Sequence, residues 1–349
     1  MMNTHNMVDI ALLKYLVISL IILILLLWGV KEKTKTTSEI RQYNFPDHEE
    51  SKISIMSFNI AYAGGLDNLK GSVHSSKEIH TNLDTICDII KNKNITIATL
   101  QEIDIRSKRS HFIDQVEYIA KACKFPYAAV TINWDKIWVP YPTNFHISQH
   151  FGPVLAAQVI FSKFPLKNHH ILTFNKPKNM SKIRQFFYIN RHAQFITISL
   201  PDNTDIIVGN VHLEAFHKEE RESQASSLRH YIATNFFEEP LILAGDFNSV
   251  HPKASNTGPF ADEPTINYNN DSTLTVLQEI PHFKYLKDPH LSHDSNKNLF
   301  TFPSNHPNRQ LDYIMYSDKH FERENIGIIP LSDPYPSDHR PIFAEFRKI

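Results

Sequence analysis

Residues 241–248 read LILAGDFN: an aliphatic run that stops at Gly245 and hands over to Asp246, Phe247 and Asn248. The apolar half reads as a buried strand. Because residues i and i+2 of an extended segment point the same way, Asp246 and Asn248 can converge on one group while Phe247 turns into a core. Taken alone, the pair would equally serve as a turn former after a strand.

The pattern recurs on both sides of this stretch. Asn59 ends the alternating run ISIMSFNI (53–60), Glu102 ends ITIATLQE (95–102), and His212 ends VGNVHL (208–213). Asp312 opens LDYIMYS (311–317), and Asp338 and His339 precede the last strand in SDHRP (337–341). Strand ends are where layered folds assemble their sites. Carboxylates, amides and imidazoles gathered there suit one hard divalent cation, which prefers oxygen ligands. Between these strands, helical spacing covers 78–93, 112–124 and 217–236, and further strands are expected at 155–162 and 186–200. The stretch 251–310 reads as long loops with one short helix near 272–279. A mixed α/β body of roughly 300 residues without internal repeats results.

Composition narrows the function. The chain has 349 residues, 36 basic against 37 acidic side chains and only two cysteines, Cys87 and Cys123. No disulfide framework or cysteine metal cage can be built from those two. Proteins that grip duplex DNA usually carry a basic excess, so a net charge of -1 counts against that role.

The N-terminus is a different material. IALLKYLVISLIILILLLWGV (10–30) carries Lys14 as its only charge and has about the length that spans a bilayer. A single-pass membrane helix is expected within residues 1–30, as an anchor or signal anchor, followed by a polar tether over 31–50 and a catalytic domain over 51–349. Lys31, Lys33, Lys35 and Arg41 after the span place that domain on the cytoplasmic side by a small margin, with the external side as the alternative.

The ordered fragments SFNI (57–60), LQE (100–102), FSKFPL (161–166), NVHLEAF (210–216), AGDFN (244–248), LDYIM (311–315) and SDHRP (337–341) resemble the endonuclease/exonuclease/phosphatase superfamily, bacterial-type members in particular. The resemblance implies a four-layered α/β sandwich of two packed, mainly antiparallel sheets. It implies a Mg²⁺ site, with Mn²⁺ as the alternative metal, held by Glu102 with Asn59 beside it and Asp338 as a further carboxylate. Asp246 and Asn248 would position the attacking water and the phosphoryl oxygens. His339, oriented by Asp312, would be the general base or phosphate-binding imidazole, and His212 a phosphate-stabilising one. In the pancreatic nuclease branch the first histidine pairs with a glutamate from the strand at 155–162, where this chain offers Gln158. The partner of His212 is therefore open.

The aromatic segment 134–151, with Trp134, Trp138, Tyr141, Phe145 and Phe151, either stacks substrate or packs its own rings over a sheet edge. Trp138 and Arg191 are the candidate substrate-binding residues. The expected function is a metal-dependent phosphodiesterase on a lipid headgroup or another small phosphoester. A membrane-anchored nuclease and a catalytically inactive binding scaffold are the alternatives, and no protein partner is implied.

Overall fold

The computed structural model describes residues 12–20, 23, 38–66, 74–142, 146–254, 256–281, 283–285 and 299–349. Seven strands form one sheet in the order β1 (Ser38–Gln42), β4 (Tyr127–Val139), β5 (Gly152–Ser162), β3 (Ile97–Asp104), β2 (Ile53–Asn59), β13 (Ile342–Lys348), β12 (Phe321–Ile328). Six form the other: β10 (Phe283–Tyr285), β11 (Asp312–Ser317), β9 (Leu241–Asp246), β8 (Asp205–His212), β7 (His192–Ser199), β6 (Leu166–Thr173). The pairs β2/β3 and β8/β9 are parallel and the other pairs antiparallel.

Period-2 alternation builds the layers. In β2, Ile53 and Ile55 enter the core between the sheets, whereas Met56 and Phe58 face α1 (Ser76–Asn92) and α2 (Gln115–Cys123). In β9, Ile242 and Ala244 enter the same inter-sheet core, whereas Leu241 and Leu243 face α4 (Lys218–Asn235) and α5 (Thr273–Gln278). A further helix, α3 (Lys182–Phe187), lies between β6 and β7 in the chain. Helices, sheet, sheet, helices: the expected α/β sandwich is present. Ser38–Gln42, which lie within the expected tether, instead pair with β4 as an edge strand.

The membrane expectation is corrected. Among the described residues no helix is long and apolar enough to cross a membrane. Within 10–30 only residues 12–20 and 23 are described, as helix. The N-terminal transmembrane helix, the single-pass placement with a cytoplasmic domain and the membrane contact through residues 10–30 are withdrawn with it. The rest of that stretch lies outside the described residues.

Candidate active site

Strand register places the polar residues side by side. In the parallel pair β8/β9, His212 lies opposite Asp246, and in the antiparallel pair β9/β11, Asp246 lies opposite Asp312. The three side chains therefore form one row across three adjacent strands. Gly245 permits this: a Cβ there would fall 2.8 Å from both the carbonyl carbon and the amide nitrogen of Val211, and closer still to its carbonyl oxygen. Only glycine lets β9 approach β8 so closely. After Asp246 the chain turns. Asn248 takes a left-handed φ of 50°, and its backbone N–H donates to Asp246 Oδ1 at 2.9 Å. A turn thus brings Asp246 and Asn248 together rather than extended spacing, while Phe247 is buried as expected.

The first sheet supplies Asn59, at the end of β2, and Glu102. β3 continues to Asp104, so Glu102 does not end it; it sits at a register shift between Leu100 and Ile103 with a φ of 54°. A bulge turns a side chain out of the alternation, and a non-glycine residue in this region costs on the order of 1–3 kcal/mol. Glu102 is aimed at the cleft by that bend.

Contacts across the sheets draw the groups together. The Asn59 Nδ2 donates to Glu102 Oε1 and to Asp246 Oδ2, both at 3.1 Å, while its Oδ1 accepts from the Ala61 N–H. Asn59 is thus a strap between the carboxylates. His212 Nε2 lies 3.6 Å from Asp246 Oδ2 and 3.9 Å from Glu102 Oε1. His339 donates from Nδ1 to Asp312 Oδ2 at 2.8 Å and turns Nε2 toward Asp246 Oδ2 at 3.7 Å. The Ser337 hydroxyl donates to the Asn59 carbonyl at 2.7 Å and accepts from the His339 N–H at 3.1 Å, tying the SDH loop to β2. The sequence reading did not single out Ser337, whose only signal was its place in SDHRP.

The electrostatics follow from burial. His212 is held well below 6.5, first by desolvation and then by the nearby charges of Arg191 and His339. It is neutral at pH 7. His339 also pays for burial, but Asp312, Asp246 and Asp338 outweigh that and raise it to about 10. Desolvation raises Asp246 to about 7, with Asp312 adding to the rise and His339 opposing it.

The site fits a divalent cation. Ligand atoms of Asp246, Asp312 and His339 all lie within 4.8 Å of one another. Asp312 Oδ1 is buried and has no hydrogen-bond partner among the described residues, although its other oxygen is taken by His339. The carboxylate oxygens here are the hard donors that Mg²⁺ and Mn²⁺ prefer.

Asp246, His212 and His339 line a cavity of about 660 Å³ together with Asn59, Glu102, Asn248 and Asp338, and Asp312 reaches it only through His339. Arg191 lines it too, buried, with Nε and Nη1 unpartnered among the described residues. Trp138 does not line it: its ring packs edge-on to His150 at 5.6 Å. Trp134, Tyr141 and Phe151 from the same segment do. Register shifts in β4 at Ile132/Trp134 and Lys136/Val139 decide which rings face the cavity, and simple alternation does not reveal them. Phe145 lies outside the described residues. Tyr62 and Arg109 also line the cavity without having been anticipated.

Residues 56–339 match the model of the Endonuclease/Exonuclease/phosphatase family. Among solved structures, the chain is similar to an endonuclease/exonuclease/phosphatase from Beutenbergia cavernae (18% identity, TM-score 0.58), covering 85% of this chain and 72% of that one. It is also similar to the human Nocturnin catalytic domain (17%, 0.57; 89% and 97% covered) and to a mannosyl-6-phosphatase from Bacteroides thetaiotaomicron (15%, 0.55; 84% and 99% covered). At these identities the structural likeness speaks for the fold. No curated protein matches by sequence.

Proposed function

Because the chain belongs to the endonuclease/exonuclease/phosphatase family, we propose that it acts as a phosphodiesterase on a small phosphoester. It is a divalent-metal-dependent phosphoester hydrolase served by Mg²⁺ or Mn²⁺, as the family and the buried Asp246–Asp312–His339 cluster together require. The inactive-scaffold alternative is set aside on the same grounds. The observation that supports the finer reading is the convergence of the His212 and His339 imidazoles with the carboxylates of Glu102, Asp246 and Asp338 on a cavity large enough for a small molecule.

Of the buried cluster Asp246 would hold the cation, with Glu102 and Asp338 as further carboxylates, while Asp312 and His339 stay paired with each other; the Asn59 amide bridges Glu102 and Asp246. When bound, the cation neutralises charge on the phosphoryl oxygens and acidifies water. Asp246 and Asn248 would position the attacking water, with the Asp246 carboxylate placed to accept its proton. His339, held cationic and oriented by Asp312, donates from Nε2 to a phosphoryl oxygen as charge builds there. Neutral His212 donates a second hydrogen bond. Arg191 offers two nitrogens unpartnered among the described residues, Nε and Nη1, to an anionic oxygen of the ester.

A small substrate is favoured because the chain has no basic excess to engage a polyanion. The test is a comparison of kcat/KM, with Mg²⁺, on bis(p-nitrophenyl) phosphate, p-nitrophenyl phosphate and labelled single- and double-stranded oligonucleotides. The diester is expected to lead. Preference for the oligonucleotides would replace this reading with a nuclease, and preference for the monoester with a phosphatase.

A further inference from the structure

The cavity continues past the reacting groups into a recess walled by Trp134, Val139, Tyr141, Phe151, Ile183 and Phe187. What these walls offer is apolar. The Trp134 Nε1–H is spent on the Phe187 carbonyl at 2.8 Å, which leaves the ring itself to the recess. Tyr141 and Phe151 pack at 5.2 Å between centroids, and Trp134 meets Phe151 edge-on at 6.5 Å.

Of the cations that line this region, Arg109 is neutralised, while Arg184 lies exposed on α3 between Ile183 and Phe187. Arg109 donates to both oxygens of Asp104, at 2.9 and 2.8 Å, and its guanidinium lies 4.0 Å from the Tyr62 ring centroid and 5.0 Å from that of Phe151. It has no charge to spare for a second anion. The unpartnered N–H groups of Arg191 and the unpartnered Asn133 Oδ1, both buried, line the same cavity. At the mouth, Ile183 is 72% and Phe216 59% exposed, large apolar side chains left facing water beside an apolar recess.

The phosphoryl end and the recess belong to one cavity, far larger than a phosphate needs, so a group esterified to the phosphorus can extend from one into the other. We propose that the substrate's second ester group is large and apolar, and that Trp134, Tyr141 and Phe151 select for it. This rests on the phosphodiesterase reading. Alkyl and aryl groups share the required chemistry.

Phosphodiesters with a common p-nitrophenyl leaving group and a methyl, phenyl or hexyl second ester separate the cases. Covering roughly 60 Å² of apolar surface corresponds to about tenfold in kcat/KM. A gain of at least tenfold over the methyl ester is expected for the phenyl or the hexyl compound, and which one leads assigns aryl or alkyl. The ratio of that compound to the methyl ester should collapse below about threefold in Trp134→Ala. The same collapse is expected in Tyr141→Ala and Ile183→Asp, which alter the partly exposed rim and keep the test open should Trp134→Ala fail to fold. Equal kcat/KM across the series, within threefold, overturns the proposal.

Calorimetric titration of the Mg²⁺-loaded protein with dimethyl, diphenyl and dihexyl phosphate tests the recess without turnover. Tenfold tighter binding of an apolar member supports it even where no diester is hydrolysed, in which case only the phosphodiesterase reading fails. Equal binding of all three refutes the recess.

Discussion

Gly245→Ala is the sharpest perturbation the backbone offers. The added methyl would meet the backbone of Val211 rather than the movable end of a side chain, at 2.8 Å from two atoms where carbon contacts settle near 3.5–4.0 Å. Strands β8 and β9 must therefore part by roughly 1 Å. Overpacking of this kind costs about 1–3 kcal/mol, so the domain should fold with a lowered Tm. Asp246 follows Gly245 directly and moves with it, away from Asn59 and out of its row with His212 and Asp312. A misplacement of about 1 Å at reacting groups costs on the order of 10²-fold in rate. Steady-state kinetics on bis(p-nitrophenyl) phosphate beside thermal melts would measure both effects. Ile232→Val in α4 is the control, since it trims the helix-side core at a cost of about 0.5–1.5 kcal/mol and leaves the row untouched. Gly245→Ala with unchanged Tm and kcat would refute the close-approach reasoning. A loss of kcat no larger than the control's would refute the link from strand spacing to Asp246.

Two further expectations follow from named contacts. Asp312→Asn removes the charge that orients and sustains the His339 imidazolium, so kcat should fall by about 10²–10⁴ and the melting temperature should fall with it; kcat within threefold of wild type would remove His339 from the mechanism. His169 and His192, both lowered to about 4 by burial, bind protons more weakly folded than unfolded, so stability should be full above about pH 6.5 and fall as the pH drops toward 4. The loss is on the order of 1–2 kcal/mol per histidine by pH 5. His169 Nε2 accepts from the Gln194 amide at 3.0 Å, and protonation would set N–H against N–H; an unchanged pH slope of denaturant unfolding in His169→Asn would contradict this.

Sequence patterning served the centre of the molecule better than its margins. β2, β3, β5, β8, β9, β11 and β13, whose sides are buried or alternate, were anticipated as strands close to where they lie. β1, β4, β6, β10 and β12 were not; all but β4, which lies between β1 and β5, are edge strands. An edge strand faces water and carries polar and charged residues that mask the apolar period, as in LKNHHILT of β6 and FERENIGI of β12. The site was legible because its residues interrupt apolar runs, as Asp246 does after LILAG. Its supporting contacts were not. Ser337, the Glu102 bulge and the choice of Trp134 over Trp138 depend on register shifts and on two sheets meeting, which no local window contains. The N-terminal span was misread because apolar length alone does not establish a membrane crossing.

The metal site is tested most directly by the initial rate of bis(p-nitrophenyl) phosphate hydrolysis as Mg²⁺ or Mn²⁺ is added back to chelator-treated protein, for wild type, Glu102→Gln and Asp246→Asn. Turnover should vanish with chelator and return with either metal in the wild type, while both variants need far more metal or stay inactive. Turnover indifferent to chelator, or the wild-type metal dependence in both variants, would contradict the site described.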